Sequence, residues 1–115
     1  MARDHVELTR WYAGRSSVVA VRGAVDCNSC RRLSATIGDA LDAAPARLVI
    51  DLCGVELVDS MSLAVLVDTR RRALRHGVEL RLVCDVPSAL QVLALTGLDR
   101  AFDIYRTNQA ALEDR

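Results

Sequence analysis

RLVIDLC (47–53), VELVDSMSLAVLVDTRRRALRHG (55–77) and VELRLVC (78–84) follow one another with only Gly54 between the first two, and they read as strand, helix, strand. The first and third are short, nearly continuous apolar runs, the pattern of strands covered on at least one face. In the middle segment Leu63, Leu66, Val67 and Leu74 recur at helical spacing. Asp59 or Ser60 is placed to cap the start of that helix, and His76-Gly77 closes it. Arg70, Arg71, Arg72 and Arg75 then fall largely on its wetter surface. Two strands joined by one helix need a crossover, which is right-handed, so they lie parallel in one sheet.

The flanking sequence extends the same pattern. From Asn28 to Ala43 the apolar residues Leu33, Ile37, Ala40 and Leu41 lie on one helical face, and Ala44-Pro45 ends the helix. Before it, HVELTRWY (5–12) and SSVVAVRG (16–23) are strand-like, and the turn residues of AGRSS (13–17) make them an antiparallel hairpin. After the central unit come a helix opened by Pro87 in PSALQVLALTG (87–97), an extended FDIYR (102–106) and a last helix in TNQAALED (107–114). The order is ββαβαβα(β)α. This predicts an α/β fold, a small sandwich with a mixed sheet of four to five strands, about four helices and an antiparallel edge supplied by the hairpin.

A length of 115 residues fits one domain spanning 1–115, and 51% hydrophobic residues supply a core without disulfides or metals. Fifteen arginines balance fifteen acidic residues, with no basic run interleaved with aromatics. A nucleic-acid surface therefore has little electrostatic support, and a protein partner is expected instead. MARDHVELTR lacks the apolar run of a signal peptide, and no stretch approaches the roughly 20 apolar residues that cross a bilayer, so a cytoplasmic protein with no membrane contact is expected. In that compartment Cys27, Cys30, Cys53 and Cys84 stay reduced, and their even number does not indicate a disulfide framework.

Loops at the carboxyl ends of parallel strands gather on one rim, which here receives VDCNSC (25–30), DLCGVELVDSMS (51–62) and VCDVPS (83–88). Function is expected there. Cys27-Asn28-Ser29-Cys30 at a helix start resembles the thiols of thioredoxin-like oxidoreductases, where the helix amino end lowers a thiol pKa. No aromatic residue precedes Cys27, however, and Pro87 opens a helix instead of preceding a strand. Redox catalysis is not expected, while Cys27 and Cys30 stay candidates for a regulatory disulfide. A zinc site from all four cysteines has only one CxxC pair to start from, and Cys53 and Cys84 read better as small buried residues beneath the rim. His5 and His76 have no nucleophile at a recognisable spacing. No enzyme activity, metal or cofactor is expected. By themselves Asp59 and Ser60 read as a helix cap, Met61 as a surface or packing residue, and Asp26 as a capping carboxylate.

RGAVD (22–26), LVIDLCGVELVDSMSLAVLV (48–67) and LRLVCDVPSALQVLALTGLDRAFDIYRTNQAAL (80–112) also resemble, in order, a known family: the STAS domain of the bacterial anti-anti-sigma factors, or anti-sigma-factor antagonists. The likeness covers essentially the whole chain. It implies a non-catalytic switch that works by partner switching in transcription regulation. The unphosphorylated domain binds an anti-sigma factor that is also a serine-protein kinase of histidine-kinase-like fold, which releases a sigma factor, and phosphorylation breaks the complex. The partner surface implied is Asp26, Asp59, Ser60, Met61 and Leu63.

The family motif is Asp-Ser-Ser or Asp-Ser-Thr followed by Gly-Leu-Gly, against Asp59-Ser60-Met61-Ser62-Leu63-Ala64 here. Asp59, Ser60 and Leu63 match, but Met61 stands at the acceptor position and has no hydroxyl to phosphorylate. Ser60 and Ser62 are the nearby hydroxyls, each turned by about 100° from that position. Either is a relocated acceptor, or neither. The alternative implied is a STAS sensor or scaffold domain whose rim binds another regulator or whose cysteines respond to oxidants. The arginine cluster is a solvated helix face or an electrostatic match to an acidic partner.

Overall fold

Ten elements follow one another along the chain: β1 (Glu7–Ala13), β2 (Ser16–Ala24), α1 (Cys27–Asp42), β3 (Arg47–Leu57), α2 (Ser60–His76), β4 (Glu79–Val83), α3 (Pro87–Leu95), a 3-10 turn (Leu98–Arg100), β5 (Asp103–Tyr105) and α4 (Asn108–Leu112). The structure is a computed structural model that describes residues 6–25, 27–57 and 60–113, without the side chains of Cys27, Asn28, Leu57 and Met61. The strands form one sheet in the order β1-β2-β3-β4-β5. β1 is antiparallel to β2, and every later neighbour pair is parallel. The antiparallel hairpin and the parallel pairing of the later strands are those expected from the sequence. The hairpin turns on Gly14, whose φ of +62° suits the first central position of a type II′ turn.

Side chains alternate between the two faces of the sheet. Val19, Val21, Leu48, Ile50, Leu52, Leu82 and Cys84 pack with Leu33, Ile37, Ala40 and Leu41 of α1, Leu66 and Ala73 of α2, and Ala89 of α3. The opposite face is smaller: Val18, Val49 and Val83 meet Ala111 of α4, with Cys53, Tyr105 and Leu112 at its margin. One expectation is corrected. The inward stripe of α2 is Ser62, Leu66, Thr69 and Ala73, whereas Leu74 is 66% exposed. Leu74 is one residue, about 100° of helical turn, past Ala73, and the smaller side chain there lets α2 lie close to the sheet.

Arg72, half-buried, fixes α2 against α1. Its guanidinium donates to the Ser34 carbonyl at 3.4 Å and to Ser34 Oγ at 3.3 Å. It occupies the space where a Cβ on Gly38 would lie. The strand read as RLVIDLC also continues further, to Leu57, because β2 and β3 stay paired through two register shifts. Gly23, at φ +106°, makes one of these irregularities possible. Gly54 permits the close approach: a Cβ there would stand 3.0 Å from Arg22 Cγ and 3.2 Å from the Val21 carbonyl.

Candidate functional site

Ala24, Leu57 and Val83 end β2, β3 and β4 at one rim, where α1, α2 and α3 begin. This brings the three sequence-predicted loops together, as strand polarity requires. Asp26, Asp59 and His5 lie outside the described residues. Met61 is the second residue of α2, and Ser60 the first.

The two candidate hydroxyls stand in opposite environments. Ser60 is exposed, whereas Ser62 is 7% exposed and lines an apolar void of about 10 Å³ with Val21, Val25, Leu33, Leu52, Val55 and Leu66. That void is too small for a charged phosphoryl group, and its described lining apart from Ser62 is apolar. Leu63 is half-buried one turn into α2. Glu56, Asp85 and Arg22, all exposed, add charge of both signs around the strand ends.

The three cysteines whose side chains are described do not share one face. Cys30 is buried in the larger core with Cys84, while Cys53 belongs to the opposite face. That division gives a four-cysteine zinc site no support. Among the described residues, no group of three or more His, Cys, Asp or Glu side chains is placed to hold a metal ion. Burial first, then hydrogen bonding to Asp85 and Asp51, pushes the Cys53 thiol up from 9.0 to about 12. Burial likewise raises Cys84. Both are thiols, not nucleophilic thiolates, at neutral pH. His76 is exposed at the far end of α2, with Nδ1 2.8 Å from the Arg72 carbonyl and Nε2 3.8 Å from Asp42.

Sequence reading missed the polar network of the second face. Asp51 accepts from the Cys53 backbone N–H and from Asn108 Nδ2, both at 2.9 Å. Lower on the sheet, Glu79 holds Arg81 Nε at 2.8 Å and Arg47 Nε at 3.3 Å. Arg81 Nη1 donates to the carbonyls of Ala111 at 2.9 Å and Glu113 at 2.8 Å, and Arg47 Nη1 to that of Leu112 at 3.3 Å. The signal was present: Arg47 with Asp51, and Glu79 with Arg81, fall at even spacings that put each pair on one face.

An antiparallel edge followed by parallel βα units defines the class, and the chain belongs to the STAS domain family. The family's sequence profile matches residues 12–111. The fold is similar to the crystal structure of an anti-sigma factor antagonist from Mycobacterium paratuberculosis, with TM-score 0.88 and 32% identity over 96% of this chain and 94% of that one. A Thermotoga maritima protein of the same description superposes with TM-score 0.84 at 24% identity, over 91% of each chain, a likeness of fold alone. In sequence the chain is 33% identical, over 69 residues, to a Mycobacterium tuberculosis protein named as an anti-anti-sigma factor. The match takes in 60% of this chain and 47% of that protein, so this chain spans about half of that curated relative. Among the described residues, no helix is long and apolar enough to cross a membrane.

Proposed function

We propose that the protein is an anti-sigma factor antagonist: it binds an anti-sigma factor, releases a sigma factor and so regulates transcription by partner switching, without catalysis of its own. The observation that carries this reading is the likeness to the Mycobacterium paratuberculosis antagonist over nearly the whole of both chains at 32% identity. The partner is an anti-sigma factor of the serine-kinase type with a histidine-kinase-like fold. Its contact is the rim bearing Asp26, Asp59, Ser60, Met61 and Leu63. Burial of Cys30 and the raised thiols of Cys53 and Cys84 favour this reading over a redox-responsive scaffold.

Regulation is where the chain departs from its family. A phosphoryl group adds about −1.5 to −2 charge beside a docked partner, but Met61 offers no oxygen to receive it. Ser62 is buried, which leaves the exposed Ser60 as the accessible hydroxyl, one residue away from the family position. Phosphoryl transfer needs the acceptor oxygen held in line with the nucleotide, and a displaced hydroxyl loses that alignment. The protein therefore acts as a phosphorylation-insensitive antagonist.

The test uses the anti-sigma factor co-purified from the host. Met61→Glu is expected to abolish binding in calorimetry, because it puts a charge into a desolvated contact. Unchanged affinity would remove this rim from the interface. With the partner kinase and ATP, intact mass is expected to show an unshifted wild type and a singly phosphorylated Met61→Ser variant. Rapid stoichiometric modification of the wild type that disappears in Ser60→Ala would instead make Ser60 the switch.

A further inference from the structure

Among the described residues, β1 has β2 on one side and no strand on the other. It runs for seven residues without a proline or a register shift. Its two-residue turn pairs Ala13 with Ser16 as the closing hydrogen-bonded pair, so Glu7, Thr9 and Trp11 spend their main-chain groups on β2. Leu8, Arg10 and Tyr12, the alternate residues, turn their N–H and C=O groups to the open edge. Such an edge templates another strand unless it is blocked. It is covered at its start, where Arg32 of α1 donates to the Val6 carbonyl at 3.3 Å. From Leu8 onward no strand of the described residues pairs with it, and there the chain's only tryptophan, Trp11, is 37% exposed and Tyr12 is 64% exposed.

We infer that β1 is a dimer interface at which a second copy of this chain adds its own β1 antiparallel, making one continuous sheet across a two-fold axis. Charge and edge cover decide among the registers centred on Thr9, Arg10 and Trp11. A two-fold axis at Arg10 sets two guanidinia directly opposite each other, which is repulsive. An axis at Thr9 brings Tyr12 against Val6, whose carbonyl Arg32 already holds.

An axis at Trp11 avoids both. Arg10 then lies opposite Tyr12 of the second copy, twice, in position for cation–π contact and about four main-chain hydrogen bonds. The two indoles meet as a close non-hydrogen-bonded pair on the other face. Arg10 and Tyr12 already share a face within the chain, with Arg10 Nη2 3.4 Å from the Tyr12 hydroxyl. Aromatic and arginine side chains at the centre of the patch fit the composition of interface cores. Trp11 pairs with Val18 near the start of β2, far from the rim at the strand ends, so both rims stay open and point in opposite directions. The dimer is independent of the partner proposed above.

The test is sedimentation velocity of the full chain from about 5 to about 500 µM, with circular dichroism to confirm that each variant is folded. The wild type is expected to pass from monomer to dimer across this range. Tyr12→Arg, which opposes like charges, is expected to weaken association at least about tenfold. The exchange variant Arg10→Tyr/Tyr12→Arg restores the facing pair and should recover the dimer. Arg10→Pro removes an outward N–H without touching the ladder to β2 and should leave a monomer. A wild type that stays monomeric throughout, or a dimer that survives both Tyr12→Arg and Arg10→Pro, overturns the assignment.

Discussion

Cys53 shows what one strand position decides. RLVIDLC is apolar almost throughout, so the sequence placed Cys53 beneath the rim without telling which face it takes. Strand parity puts it with Val49 and Asp51, between two carboxylates, and burial with those neighbours raises its pKa to about 12. An unfolded chain loses this proton near the ordinary 9.0 while the folded chain keeps it. The unfolded state then binds fewer protons, so stability is fully present below about pH 9 and declines as pH rises toward about 12. Cys53→Ser keeps a donor for the carboxylates and does not titrate. The urea midpoint of the wild type should fall more steeply than that of the variant between those pH values. Parallel curves would show that Cys53 is not held protonated by its surroundings. Ser62 was equally hard to place from sequence: only the roll of α2, set by small Ala73 and not by Leu74, turns its hydroxyl inward.

α4 is only five residues long, too short for helical propensity to hold it. Thr107 Oγ1 accepts from the Ala110 N–H at 3.1 Å to cap its start, and the arginines of β3 and β4 hold its carboxyl end. Arg81, with its side chain 3% exposed, also lies 5.0 Å over the Tyr105 ring. Arg81→Ala strands the Ala111 and Glu113 carbonyls and empties space under α4, and should cost about 3 kcal/mol in urea unfolding. Glu79→Ala leaves the buried Arg81 cation without its carboxylate, held by carbonyls and the Tyr105 ring. Because Glu79 is itself partly exposed, that variant should cost less, about 2 kcal/mol. If both cost under about 0.5 kcal/mol, α4 is not secured by these arginines. The sequence pattern showed that a terminal helix exists. Which face it covers depends on polar residues inside strands, and a reading based on apolar periodicity passes over them.

At the scale of the molecule, the order of elements and the parallel sheet were legible because each apolar run and helical stripe agrees with the same α/β plan. Contacts between distant segments were not legible: the Asp51–Asn108 bond spans 57 positions and no local pattern encodes it. The size of the core predicts that covalent cross-links are dispensable. Wild-type protein in excess reductant should unfold with the same thermal midpoint as without it, and a fall of several degrees on reduction would reveal a stabilising disulfide. Strand order in space equals strand order in sequence, so each new βα unit can dock on the one made before it. The second face cannot follow that schedule. Arg47 and Arg81 emerge from the ribosome long before the carbonyls of residues 111–113 that they hold. A nascent chain therefore carries its larger core early while Val18, Val49 and Val83 wait uncovered, and it is during that interval that a chaperone would find it.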